Sequence, residues 1–580
     1  MPSFLIDGQW TDGSGSRRGA VLNPATGEQI GEVPFAEIAD LDRALAAAQK
    51  GFEIWRKTSA YDRSKILRRA ADLTRERAES IAQLITREQG KPLSEARMEA
   101  GGLGDHIDWY AEEGRRAYGR VIPPRQYGAR QIVLREPVGP VAAFSPWNFP
   151  TGQLVRKVAG ALAAGCSIII KAPEETPSSC IELIRAFHDA GVPAGVVNLV
   201  FGVPAEISEH LIASPIIRKV SFTGSVPVGR HLGALAARHV KRATMELGGH
   251  APFIVCDDVD VTAAARLGAG LKFRNGGQVC ASPTRFYVQD SVFDAFLGSF
   301  VEAAKALKLG DGAAEGTQMG PLAHARRVDA IEGFVRDAVE AGADLAYGGE
   351  RPGNRGFFHA PAVLANVPDK ARLMRDEPFG PIAAVNRFDT LDKVIAQANA
   401  LPFGLAAFAF TSSVSRATQF GDELESGMVS INHFGLAAPE TPSAASRIPA
   451  MAARAVRRGS TLISRPSSSA RSAPRRGGPD GHLRLHRRRG RLGRLHRDLP
   501  PRRSRKVGAA ARIRAEGQPP LHPHPGDLHP GARHGADLDV SLGAGAAAER
   551  APGLCAAGPH ARRRQLGQCD DLYPRPGAGL

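Results

Sequence analysis

Apolar residues recur at three- and four-residue spacing over residues 41–55 and 66–86, the periodicity of helices with one buried face. Gly90 and Pro92 punctuate the end of the second run. The pattern then changes. Residues 119–136 predict two short strands with a turn near Gly128, and after them brief apolar runs alternate with helical ones. Strands are predicted at 138–144, 167–171, 196–200 and 219–222, with helices at 152–164, 178–190 and 226–237 between them. That alternation is the rhythm of a parallel sheet covered on both faces. A second alternating region follows Pro252, with strands at 253–256, 285–288, 362–365 and 427–431 and helices at 260–273, 292–307 and 326–341. The fold class is therefore α/β, with two successive α/β domains and a ligand expected in the cleft between them.

Composition divides the chain differently. At 580 residues it exceeds one ordinary core, so two or three domains are expected. The formal charge is +16, yet residues 443–580 hold 27 Lys plus Arg against 9 Asp plus Glu. The first 442 residues thus carry a balance of −2 and look like an ordinary soluble protein. The tail has no Phe, Trp or Asn and is crowded with Arg, Pro, Gly, Ala and Ser. Such a segment buries too little apolar surface to offset its ordering entropy, so disorder is expected there. Arg487, Arg488 and Arg489 fit a nucleic-acid arm superficially, but no aromatic platform or nucleic-acid module accompanies them, and no specific nucleic-acid partner is expected.

The start of the chain lacks the basic and apolar regions of a secretory signal, and no apolar run approaches a membrane span. The cysteines show neither a Cys-x-x-Cys pair nor a metal-ligand spacing. A cytoplasmic location without metal or membrane is the simplest expectation.

One cysteine stands in a setting of its own. In Phe273-Arg-Asn-Gly-Gly-Gln-Val-Cys-Ala-Ser282, Cys280 follows a helical run and two glycines that let backbone approach a ligand closely. Four other segments carry possible chemistry. Ser145-Pro-Trp-Asn-Phe-Pro150 ends a strand with an amide held between prolines, and Thr244-Met-Glu-Leu-Gly-Gly249 sets a carboxylate before a glycine turn. Ser221-Phe-Thr-Gly-Ser-Val-Pro-Val-Gly229 is a strand, a glycine turn and a helix start, which suits a phosphate. Glu377-Pro-Phe-Gly-Pro381 offers a carboxylate and a ring two residues apart.

Together and in this order, these motifs resemble the aldehyde dehydrogenase superfamily, most closely its NAD-dependent succinate-semialdehyde dehydrogenase branch. The resemblance covers essentially residues 1–442. It implies a Rossmann-like NAD-binding domain (1–118 and 138–245), a small β oligomerisation arm (119–137) and an α/β catalytic domain (246–442). It implies Cys280 as nucleophile, Asn148 as oxyanion donor and Glu246 as general base. The cofactor-binding residues it implies are Trp147, Lys171, Glu174, Gly224, Ser225, Glu377 and Phe379, with NAD expected over NADP because Glu174 would repel a 2′-phosphate. Arg156 and Arg274 match arginines that grip the distal carboxylate of a semialdehyde. A homodimer or homotetramer is implied as well. A general aliphatic aldehyde dehydrogenase, with both arginines structural, and an inactive relative remain alternatives.

The resemblance stops after Pro442, where Phe-Gly-Gly is expected and Ser443 stands instead. Residues 443–454 can be back-translated so that one restored T yields Phe-Gly-Gly-Val-Lys-Asp-Ser-Gly-Tyr-Gly-Ser-Glu. Continued to Ser469, the same frame can give Tyr-Leu-Ala-Thr-Lys-Phe-Val, the closing strand of the family. Residues 443–580 are therefore expected to be an out-of-frame tail, leaving the arm without its closing strand.

Overall fold

The apolar runs assemble into two seven-stranded sheets. The computed structural model describes residues 3–436 and 438–441, together with the backbone of 464–470. In the first sheet, Arg242–Leu247, Lys219–Gly224, Val141–Phe144, Ile168–Lys171 and Val197–Val200 lie side by side in that order, all parallel. Phe4–Ile6 adds antiparallel to Val197–Val200, and Gln9–Thr11 closes that edge. The three strands from Val141 to Val200 are buried at every position, as parallel strands covered by helices on both faces must be.

Chain order reverses between Val141–Phe144 and Lys219–Gly224, since later strands add on the opposite side of Val141–Phe144. In an open α/β sheet the crevice beyond the carboxyl ends of the strands, at such a reversal, is where ligands bind. The segment 145–150, Lys171, Gly224 and Glu246 all stand at carboxyl ends of these strands.

The second sheet runs Asp344–Gly348, Ala362–Ala365, Ile382–Phe388, Pro283–Gln289, Ala251–Val255, Ala406–Phe410 and Met428–Ile431. Only Asp344–Gly348 is antiparallel to its neighbour. Here the chemistry-bearing loops precede their strands: Cys280 comes before Pro283, and Glu377 before Ile382. The buried cluster of the first sheet ends at Leu247, and those of the second begin at Ala251. The chain crosses between them through Gly248, Gly249 and His250.

Several elements differ from the sequence expectation. Four short strands, Phe4–Ile6, Gln9–Thr11, Arg18–Leu22 and Gln29–Pro34, precede the first helix. They are three to six residues long, too short for a period to register. The run 66–86 is shared by two helices, Ala60–Glu76 and Ala78–Gln89, which break at Arg77, where ψ is 3°. Strand Arg242–Leu247, which carries Glu246 just before the glycine turn, is likewise absent from the expected strands.

The arm is an antiparallel sheet in which Gln131–Pro137 pairs with Arg120–Ile122 on one side and with Ser464–Ala470 on the other. A closing strand is thus present, contrary to expectation, in register from Ser464 opposite Pro137 to Ala470 opposite Gln131. A ladder is made by main-chain groups, so it does not demand the apolar side chains that the sequence pattern sought. The rest of the expected tail, including the expectation of disorder, lies outside the described residues.

Trp55 anchors the helical layer of the first sheet. It is fully buried, and its indole Nε1 donates to the Leu162 carbonyl at 2.8 Å, joining helix Ile38–Trp55 to helix Pro150–Ala163. Trp55→Ala is expected to lower stability by about 3–5 kcal/mol through the cavity and the orphaned carbonyl. Chemical denaturation checks this, and an unchanged midpoint would show that the site collapses around the loss.

Candidate active site

Helix Val261–Phe273 delivers the chain into a tight stretch, Arg274–Gly277, before Cys280. Asn275, Gly276 and Gly277 all take left-handed conformations, with φ of 50°, 58° and 72°. At Gly277 a side chain is excluded twice, by its φ and because a Cβ would overlap the Gly380 carbonyl. The cysteine loop therefore lies directly against the 377–381 loop.

Asn148 reaches the same loop from the first sheet. Its Nδ2 donates to the Gln278 carbonyl at 2.9 Å, two residues before Cys280, and Asn275 Nδ2 donates back to the Asn148 carbonyl at 3.0 Å. An amide nitrogen carries two hydrogens, so a second donor remains on Asn148. Glu377 accepts from the Gly249 N–H at 3.1 Å, and a Cβ on Gly248 would overlap its carboxylate. The turn that follows Glu246 is thereby joined to the 377–381 loop.

Burial sets the electrostatics. It pushes the Cys280 thiol up to about 12, and the charges of Glu377 and Glu246 act in the same direction. The N–H groups of Ala281 and Cys280 oppose this by favouring the thiolate. Burial raises Glu246 to about 7 against the opposing charges of Lys157 and Arg156, so near neutrality it can accept a proton. Glu377 is raised to about 7 by burial too, opposed by the Gly249 N–H, Arg327 and Lys272.

Around the crevice of the first sheet, Lys171 Nζ pairs with Glu174 at 2.6 Å, and Glu174 also accepts from the Gly202 N–H at 3.3 Å. Gly224 ends its strand, and Ser225 is the residue before helix Val226–Arg238. Its Oγ is buried and has no partner among the described residues. A helix N-terminus beside an unsatisfied hydroxyl fits a phosphate group. Trp147 packs edge-on against Phe379 and His324, with ring centroids 5.7 and 5.5 Å away. Phe379 has φ of 46°, and Arg327 donates to its carbonyl at 3.3 Å and to that of Pro378.

The two arginines part company. Arg156, on helix Pro150–Ala163, is close enough to Tyr110, Glu246 and Cys280 for their charges to act on it. Arg274 lies 5.5 Å from the Phe149 ring, its Nε is buried without a partner among the described residues, and its charge is felt by Lys91 and Glu95.

The chain matches known proteins over most of its length. The sequence model of the aldehyde dehydrogenase family matches residues 10–444. The chain belongs to that family. The 4-(hydroxymethyl)benzenesulfonate dehydrogenase of Comamonas testosteroni is 50% identical over 441 residues, 76% of this chain and 92% of that protein. The NADP(+) succinate-semialdehyde dehydrogenase of Escherichia coli is 42% identical over 428 residues, 74% of this chain and 89% of that protein. The crystal structure of succinate-semialdehyde dehydrogenase from Burkholderia pseudomallei aligns with a TM-score of 0.79 at 37% identity, covering 82% of this chain and 98% of that one. The structural likeness takes in more of this chain than the sequence likeness does.

Sequence motifs alone miss part of the candidate site. Lys157 is buried, donates to Thr223 Oγ1 at 2.7 Å and Ser221 Oγ at 3.3 Å, and acts on Glu246 by its charge. A lysine inside the apolar helical run 152–164 is the signal that could have found it. Lys91, Glu95 and Glu99 carry no comparable signal.

A thiol held near 12 is protonated at rest, so its thiolate fraction climbs with pH throughout the accessible range. Alkylation of Cys280 by iodoacetamide, followed by peptide mass spectrometry, is expected to accelerate about tenfold per pH unit up to pH ~10. A plateau near the ordinary thiol range, about 8.5, would show that burial does not dominate the site.

Proposed function

We propose that this protein oxidises an aldehyde bearing a distal anionic group to the corresponding acid, with NAD as the preferred acceptor. One observation carries it: Asn148 is hydrogen-bonded into the Cys280 loop while Glu246 and Arg156 act on the same thiol or on one another by charge. Cys280 gives up its proton to solvent and attacks the aldehyde carbon as the thiolate, forming a thiohemiacetal. The free Nδ2 hydrogen of Asn148 and the Cys280 N–H hold the developing oxyanion, a contribution typically worth about 3–4 kcal/mol per donor. A bound nicotinamide would supply the hydride acceptor, and the carbon held by Cys280 would be left as a thioester. Glu246 then takes a proton from the water that hydrolyses it, with Lys157 behind it favouring the carboxylate.

The residues present fit a nicotinamide dinucleotide. Gly224 and Ser225 suit its pyrophosphate, and the unpartnered Ser225 Oγ supports this. Lys171 and Glu174 would hold the adenine ribose, Glu377 would hold the nicotinamide ribose, and Trp147 and Phe379 would line the nicotinamide side. Glu174 can accept from ribose hydroxyls and would repel a 2′-phosphate, which supports NAD over NADP. We place the enzyme in the cytoplasm, as a homodimer or homotetramer assembled through the arm, where Val121 and Leu134 are exposed.

Arg156 is the anchor for the anion, with Arg274 as a second guanidinium at the Phe149 wall. A guanidinium fork suits a carboxylate, as in the semialdehyde named for one relative, and equally a sulfonate, as in the substrate named for another. Arg156→Ala is expected to raise KM about ten- to a hundredfold for aldehydes ending in a carboxylate or sulfonate, and little for a neutral aldehyde of similar length. NADH formation with such a panel, NAD against NADP, checks both claims. Equal losses on charged and neutral substrates would remove the clamp.

We infer also that the chain leaves its proper frame near Ser443. In support, the family match ends at residue 444, yet Ser464–Ala470 forms an arm strand on the run where one restored base reads Tyr-Leu-Ala-Thr-Lys-Phe-Val. Resequencing codons 440–445 is expected to find the missing base, and the restored version to surpass the 580-residue chain in activity and solubility. A confirmed sequence with full activity would refute this.

A further inference from the structure

Against the Asn148 backbone lies a group of buried ionisable side chains that the chemistry above does not use. Lys91 follows Gly90, which ends helix Ala78–Gln89 at φ of 93°. The backbone there is held tightly: a Cβ on Gly312 or Gly320 would overlap the carbonyl of Gly90. The Lys91 side chain is 0% exposed and that of its partner Glu99 is 3% exposed, so neither is a surface ion pair. Lys91 Nζ donates to Glu99 Oε2 at 2.8 Å and to the Asn148 carbonyl at 2.7 Å, and it lies 3.9 Å from the Phe149 ring centroid. All three ammonium hydrogens are thereby accounted for.

Glu99 uses its other oxygen on the segment after Asn148. Oε1 accepts from Thr151 N at 3.1 Å, Thr151 Oγ1 at 2.9 Å and Gly152 N at 2.9 Å. Those amides open helix Pro150–Ala163 and have no intrahelical acceptor. One turn earlier on the same short helix, Leu93–Gly101, Glu95 Oε2 accepts from Asn275 N at 2.9 Å. Asn275 is left-handed, and its side chain returns to the Asn148 carbonyl at 3.0 Å. Both loops that meet at the thiol are thus fastened to a single helix, at residues four apart.

We propose that Lys91, Glu95 and Glu99 are positioning residues for the oxyanion site, fixing Asn148 and the Cys280 loop relative to each other. Their hydrogen bonds run to one another and to the segments around Asn148 and Asn275. The inference rests on the assignment of Asn148 as oxyanion donor. A carbonyl held by two donors, next to a helix start capped by a buried carboxylate, fixes the Asn148 backbone and so the direction of its amide. Displacement by a fraction of an ångström would weaken a donor that acts only on charge developing in the transition state.

The test is a double-mutant cycle in the full chain, because groups acting through one donor lose additivity when that donor is removed. Lys91→Met combined with Glu99→Gln avoids leaving a buried carboxylate uncompensated. With Asn148 present, this pair is expected to lower kcat about tenfold or more, short of the roughly hundred- to thousandfold loss from removing an oxyanion donor outright. KM for NAD and the pH midpoint of kcat should stay unchanged. With Asn148→Ala, the same pair should cost less than about threefold. Glu95→Ala should behave in the same way, and it decides alone if the pair prevents folding. Equal losses with and without Asn148, or folded variants with unchanged kcat, would overturn the proposal. Should Asn148→Ala alone leave kcat intact, or should the full chain not oxidise aldehydes at all, the assignment beneath the proposal falls, and the proposal with it.

Discussion

Burial of charge between the two sheets is the constraint from which the rest follows. Carboxylates Glu246 and Glu377, lysines Lys157 and Lys272 and the Cys280 thiol all sit where desolvation is the largest influence on their titration. Buried groups of this kind persist only with partners, because an uncompensated buried ion costs several kcal/mol. The partners here come from both sheets: Lys157 from a helix of the first, Arg327 from a helix of the second, and Gly249 from the crossing between them. The alignment of the sheets is therefore dictated by the site as much as by the apolar clusters, which stop on either side of the crossing.

Topology makes that convergence possible. The first sheet presents carboxyl ends of strands, where Lys171, Gly224 and Glu246 stand. The second presents amino ends, where Cys280 and Glu377 precede Pro283 and Ile382. Strand Arg242–Leu247 leads through two glycines into strand Ala251–Val255, so Glu246 and the glycines beside the thiol loop lie on one short connection. Gly248 and Gly277 admit Glu377 and Gly380 where any side chain would block them.

The legible part of the sequence was the part with local grammar. Apolar runs marked the buried strands from Val141 to Val200, and glycine- and proline-bounded motifs marked Asn148, Glu246, Cys280 and Glu377. Those motifs proved to lie at strand ends, where a loop must turn and a side chain can face a crevice. Less legible were elements whose reason for existing is distant. Strand Arg242–Leu247 mixes exposed and buried positions at a sheet edge, so it lacks a clean period. Lys91 and Glu99 look like ordinary surface charges on a helical stretch, and only the fold brings Asn148, 57 residues beyond Lys91, onto the ammonium. The strand Ser464–Ala470 was invisible for another reason: main-chain pairing alone defines it, and its sequence is rich in serine and carries Pro466.

The two carboxylates illustrate how burial and partners divide the labour. Both are lifted to about 7 by desolvation, so burial alone does not distinguish them. Glu377 is tied to the Gly249 N–H and opposed by Arg327 and Lys272, a setting that holds a carboxylate in place as an acceptor. Glu246 is influenced only by burial and the charges of Lys157 and Arg156, with no backbone N–H among its influences. A carboxylate not held by main-chain donors keeps its lone pairs available for a proton, and that is the property a base requires. Each also raises the thiol while it is negative, so the resting site favours a neutral Cys280. Once sulfur is bonded to carbon it no longer titrates, and those charges act on it again only when it leaves as a thiolate. The same repulsion weighs on any step that forms or releases the thiolate, and protonation of either carboxylate relieves it.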